Sequence, residues 1–75
     1  MSVTSQKTVV RIRRMRQGLS QREFASAHGL NESKLSQVEC GRVVVPHAWR
    51  PILMKILGIS EAELLDERGL ARISK

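Results

Sequence analysis

Five glycines punctuate this chain at intervals that admit little besides short helices. Gly18, Gly29, Gly41, Gly58 and Gly69 are separated by 11, 12, 17 and 11 residues. Glycine is the residue that most readily ends a helix in the left-handed conformation. Ser20, Asn31 and Ser60 each follow a glycine by two residues and are good N-caps. Ser20 and Ser60 also have a glutamate three residues on, Glu23 and Glu63, which is the capping-box spacing. No stretch alternates convincingly as a strand except Val43–Val45, which is too short and ends at Pro46, so no strand is expected.

Helices are therefore expected over about Thr8–Gln17, from Ser20 to about His28, from Asn31 to about Cys40, from about Ala48, and from Ser60. Phe24, Ala25 and His28 share one face of the second helix, and Leu35 and Val38 one face of the third. Trp49, Ile52, Leu53 and Ile56 give the fourth its i, i+3, i+4, i+7 stripe. Pro51 fits only a first turn, which sets that start near Ala48. In the first helix Val9, Ile12 and Met15 form one spacing and Val10 lies elsewhere. In the fifth, Leu64 and Leu65 are inward. The fold class expected is all-α, a compact five-helix bundle. Residues 1–7 read as a flexible N-terminus, 8–68 as the domain and 69–75 as a short tail.

The 75 residues carry a formal charge of +6, unevenly spread. Up to Ser60 there are ten basic and three acidic residues, and from Glu61 onward three and four. The positive field thus belongs to the helices before the fifth, where a polyanion is expected. With one Trp, one Phe and no Tyr, the stacking surfaces used by single-strand binders are scarce. No apolar run is long enough to span a membrane, the first residues lack a signal-peptide core, and the single cysteine forms no internal disulfide. A cytoplasmic protein is the expectation. His28, His47 and Cys40 are too scattered for a metal site or a nucleophile–base pair, so neither an enzyme nor a cofactor is expected.

Ser20–Arg42 is where the function is expected. Two short helices joined by a glycine-containing turn have the helix-turn-helix layout. At roughly 100° per residue, with Glu32 at zero, Leu35 and Val38 fall near 300° and 240°. Glu32, Ser33, Ser36 and Gln37 occupy the opposite arc, from about 0° to 140°. That arc is polar and slim enough to enter a major groove, with Gln37 able to pair bidentately with adenine. Glu32 opposes DNA electrostatically unless it accepts from a cytosine amino group or binds an arginine. Lys34 lies off the arc, where phosphate is its expected partner.

The chain resembles the lambdoid phage repressor and Cro proteins, within the xenobiotic-response-element type of regulators. The resemblance runs over about residues 8–66. It is carried by R-x-x-x-G-L-S-Q at Arg14–Gln21, G-L-N at Gly29–Asn31, V-E-C-G-R at Val38–Arg42 and W-R-P-I-L-M-K-I-L-G-I-S at Trp49–Ser60. It implies a lambda-repressor-like fold with a central helix-turn-helix, and a bacterial or phage regulator that binds double-stranded DNA. Asn31, Glu32, Ser33, Ser36 and Gln37 would read bases, and Gln21 and Arg42 would contact the backbone beside Lys34. Arg14 and Glu39 match a structural ion pair.

Two features depart from the family pattern: His28 stands at a usually aliphatic position, and Val43–Val45 in a usually polar loop. Val43, Val44 and Val45 either pack beneath Trp49 or, with Leu70 and Ile73, form a subunit or partner contact, which is the favoured reading. A homodimeric repressor on a pseudo-palindromic operator is the leading expectation, because one short helix touches few bases. An antitoxin that represses its own operon, and a protein-binding antiactivator without DNA binding, stay open beside it.

Overall fold

The structure, a computed structural model, describes residues 7–74. Its helices are α1 (Val9–Arg16), α2 (Gln21–His28), α3 (Glu32–Glu39), α4 (Trp49–Leu57) and α5 (Glu61–Leu64). The five-helix all-α architecture is therefore present, and its starts follow the capping chemistry. Ser20 and Ser60 each accept from the N–H of the glutamate three residues on, and that glutamate returns a bond to the serine N–H. Ala48, by contrast, starts α4 with no side-chain cap.

The expectation of no strand is corrected. Lys7–Thr8 (β1) pairs antiparallel with Ile73–Ser74 (β2), Thr8 opposite Ile73, and Leu65 bridges Ala71. Strands of two residues have no alternation to detect. They exist because the chain after α5 turns back at Asp66, whose carboxylate accepts from the N–H groups of Arg68 and Leu70. Arg72 then ties the return, donating to the carbonyls of Ala62 and Leu65, while its own carbonyl accepts from Val9 N–H. The segment expected to be a tail is thus packed on α1 and α5 as far as Ser74, and Lys7 is paired. Residues 1–6 and Lys75 of the expected terminal segments lie outside the described residues.

The core gathers Val10, Phe24, Ala25, Leu35, Val38, Leu53, Leu57, Ile59, Leu64 and Leu65, with Val45 and Ala71 from the connecting segments. Val10 settles the face of α1: it is fully buried, whereas Met15 is 47% exposed. In α4 the deepest residues are Leu53 and Leu57, and Trp49, Ile52 and Ile56 are half-buried. The buried centre of α4 thus lies one flank away from the middle of the expected stripe. The half-buried His28 meets Phe24 edge to face, with ring centroids 4.9 Å apart. Asp66 and Glu67 follow α5.

Candidate nucleic-acid interface

The inner side of α3 is fixed first. Leu35 and Val38 are completely buried, each contributing about 1.5–3 kcal/mol by leaving water. Glu39, on the same side, is 3% exposed and is the hub of a polar network. Arg14 donates to it through Nε at 2.7 Å and Nη2 at 3.1 Å, a bidentate pair between α1 and α3. Arg14 Nη1 reaches the Leu19 carbonyl, and Gln21 Nε2 donates to Glu39 Oε1 at 3.0 Å. The backbone carbonyl of Glu39 accepts from the buried Thr8 Oγ1 at 2.8 Å. One residue of α3 is therefore held from α1, from the start of α2 and from β1. No buried side-chain polar atom among the described residues lacks a partner, so the cost of desolvating this network is offset by its own bonds.

The ends of α3 are equally determined. Asn31 Oδ1 accepts from Lys34 N–H at 2.8 Å, so the expected base-reading Asn31 commits one lone pair of its oxygen to the cap and keeps the other, with its NH2 group, for a ligand. At the other end Gly41 takes a φ of +70°. That conformation lets Gly41 N–H bond the Val38 carbonyl and Arg42 N–H the Gln37 carbonyl, the Schellman closure that favours glycine. Arg42 is thereby fixed three residues past the end of the helix, with its side chain exposed.

The outer side presents Glu32, Ser33, Lys34 and Gln37 to solvent, with Ser36 half-buried. These stand on α3, and Arg42 follows directly after the Gly41 turn that closes it. Gln21 joins them through Glu39, and with one amide N–H committed there, only the second can serve a phosphate. The valine loop is divided. Val45 is completely buried, which removes it from any contact surface and corrects that expectation. Its N–H bonds the Gly69 carbonyl, and its carbonyl accepts from Arg50 Nε. Val43 is half-buried against the core, and Val44 is 51% exposed. Leu70 is half-buried and Ile73 is 42% exposed in β2.

Two residues were overlooked in the sequence. Thr8 caps α1 by accepting from Arg11 N–H while it clamps Glu39. Arg22 is exposed beside Gln21 in the first turn of α2. A cation at the positive end of a helix gains nothing from the helix, and that mismatch is the signal that could have found it.

Residues 8–66 match a family model described as a helix-turn-helix domain. The chain belongs to the helix-turn-helix domain family. No curated protein and no solved structure matches it. The match covers α1 to α5 of this helix-turn-helix domain and stops before β2. Membership supports a DNA-binding regulator. Among the described residues no helix is long and apolar enough to cross a membrane.

Charge is apportioned accordingly within the helix-turn-helix domain. Arg14, Arg50 and Arg68 pair with Glu39, Glu61 and Asp66. Bonds from the Ser20 N–H and hydroxyl hold the Glu23 carboxyl below its ordinary range, and Ser60 does the same for Glu63, helped by the charge of Arg13. Burial pushes Asp66 up, but bonds from Arg68 and Leu70, with the Arg68 charge, bring it below its usual value. Lys34, Arg42 and Arg22 pair with no carboxylate among the described residues.

Proposed function

We propose that the protein is a sequence-specific transcriptional regulator, a repressor of the Cro and phage-repressor type, with α3 in the major groove. The observation that carries this is the two-sidedness of α3. Its inner side is locked by Leu35, Val38 and Glu39, and its outer side is short and polar over Glu32, Ser33, Ser36 and Gln37. A reading helix must be rigidly backed and slim in front, because a groove about 12 Å wide discriminates by hydrogen-bond geometry.

Within that reading Gln37 pairs with adenine, Glu32 accepts from a cytosine amino group, and Ser33, Ser36 and the Asn31 NH2 add weaker contacts. Lys34, Arg42 and Gln21 take phosphates, and we add Arg22 to that set. Gln21 would then relay a phosphate contact to Glu39 and Arg14, so that backbone docking and the scaffold share one network. Two copies on a pseudo-palindrome would place their helices about 10 bp apart or a multiple of it. Val44, Leu70 and Ile73 are the remaining apolar candidates for contact between copies.

Selection of bound duplexes from random DNA tests the reading. The expected result is enrichment of a twofold-symmetric site containing adenine at a position that Gln37→Ala no longer distinguishes. Absence of any enriched sequence, with binding that falls alike for all duplexes as salt rises, would refute sequence-specific regulation.

A further inference from the structure

The outward face of α1 has no role in the DNA reading, and its chemistry is specific. With Val10 at zero and about 100° per residue, Arg14 lies near 40°, towards Glu39 of α3. Arg11, Met15, Ile12 and Arg16 follow at roughly 100°, 140°, 200° and 240°. Two apolar side chains thus stand between two arginines, on a side turned away from α3. Lys7 of β1 closes the end of this face. Together Lys7, Ile12, Met15 and Arg16 line an open groove of about 330 Å³. Met15 is 47% exposed, Ile12 half-buried, and Arg11 and Arg16 exposed. Lys7, Arg11 and Arg16 pair with no carboxylate among the described residues, while Arg14 of the same helix pairs with Glu39.

We infer that this face docks an acidic amphipathic segment of another protein, with apolar side chains seated over Ile12 and Met15 and carboxylates on Lys7, Arg11 and Arg16. An apolar centre with a charged rim is the anatomy of a protein-binding patch. The sign of the rim selects the partner. A second copy apposed through the same face would bring like cations together. A phosphate backbone has no use for the exposed Met15. A membrane helix needs a broader apolar face than two residues on two turns provide. Acidic residues complement the rim and apolar ones the centre, so only this partner satisfies both.

The test uses the whole chain without DNA, so its outcome is separate from that of the operator selection. The probe is a short labelled peptide of Asp and Glu with Leu and Phe at i, i+3 and i+4, compared with the same composition in scrambled order. Anisotropy should show the ordered peptide binding at least about tenfold more tightly, a difference of about 1.4 kcal/mol. Amide shifts in the protein should concentrate at Lys7–Arg16. Met15→Glu, at a half-exposed site, should weaken binding about tenfold with the circular dichroism unchanged. Arg16→Glu should weaken it too and flatten its salt dependence, and serves alone if Met15→Glu unfolds the chain.

No binding, equal binding of the scrambled peptide, or shifts confined to other elements would overturn the inference. So would self-association abolished by Arg16→Glu, which would assign the face to a second copy. Shifts of the same amides by phosphatidylglycerol vesicles or duplex DNA, without any response to the peptide, would assign it to a membrane or to DNA.

Discussion

Replacing Glu39 by alanine should damage the protein more than any substitution on the outer side of α3. The side chain is 1% exposed, and its oxygens accept from Arg14 Nε, Arg14 Nη2 and Gln21 Nε2. Its loss leaves the Arg14 guanidinium, 9% exposed, with only the Leu19 carbonyl. An uncompensated buried charge costs about 3–5 kcal/mol. Domains of this kind have roughly 5–15 kcal/mol in total. In one of this size each kcal/mol moves Tm by about 4–8 °C, so Glu39→Ala should lower it by at least about 12 °C. Trp49, the one tryptophan and half-buried beside the core, reports the transition in a urea titration.

Arg14→Met combined with Glu39→Leu should recover much of this loss, since apolar residues of similar volume replace a buried pair at little cost or with gain. The double variant must then be more stable than Glu39→Ala. If Glu39→Ala unfolds within about 1 kcal/mol of the parent, the pair is not a desolvated one and the hub assigned to Glu39 is wrong.

Gln37→Ala should cost about 1–3 kcal/mol on the selected operator and leave Tm unchanged; titration against operator and scrambled duplexes reads the difference. Arg42→Ala should weaken both duplexes alike and lower the slope of log K against log salt by about 1. Thr8→Val keeps the β-branched shape but removes a cap and the partner of the Glu39 carbonyl, which together cost about 2–4 kcal/mol; Thr8→Ser should restore most of it in a thermal melt. The lowered carboxyls of Glu23, Glu63 and Asp66 bind protons less readily folded than unfolded. Their stabilisation is therefore complete above the ordinary carboxylate range and is lost as pH falls through their lowered values. Melts should show Tm falling on the acid side of pH 4.5, the ordinary glutamate value, and less steeply in Ser20→Ala/Ser60→Ala.

Local signals carried most of the fold into the sequence. Ser20–Glu23 and Ser60–Glu63 announce their helices because both partners of each bond lie within one turn, and Gly41 announces the end of α3 for the same reason. What stayed hidden depends on distant partners. Thr8 and Glu39 are 31 residues apart, and no periodicity links a two-residue strand to its mate. Val45 misled because three successive valines in a loop have the same composition whether they cover a core or a partner. The Gly69 carbonyl and Arg50, which decide the matter, come from elsewhere in the chain. The outer residues of α3 were legible as a face, since helical rotation alone separates them from Leu35 and Val38. The cap role of Asn31 was legible too, since its partner Lys34 N–H lies within the same turn.

Net charge is a poor measure of what this surface offers DNA. Of the four arginines on α1, Arg14 belongs to a buried pair, the charge of Arg13 helps to lower the Glu63 carboxyl, and Arg11 and Arg16 flank Met15 on the side away from α3. None of the four needs to touch a phosphate. The cations left beside the reading helix are Lys34 and Arg42, with Arg22 across the turn. A charge of +6 therefore divides into a scaffold share, a share on α1 and a small share at the candidate groove. The salt slope of operator binding should follow only the last. A slope near three per copy would fit that division. A slope near six would mean that the α1 arginines also reach the backbone, and the acidic partner inferred for them would then compete with DNA.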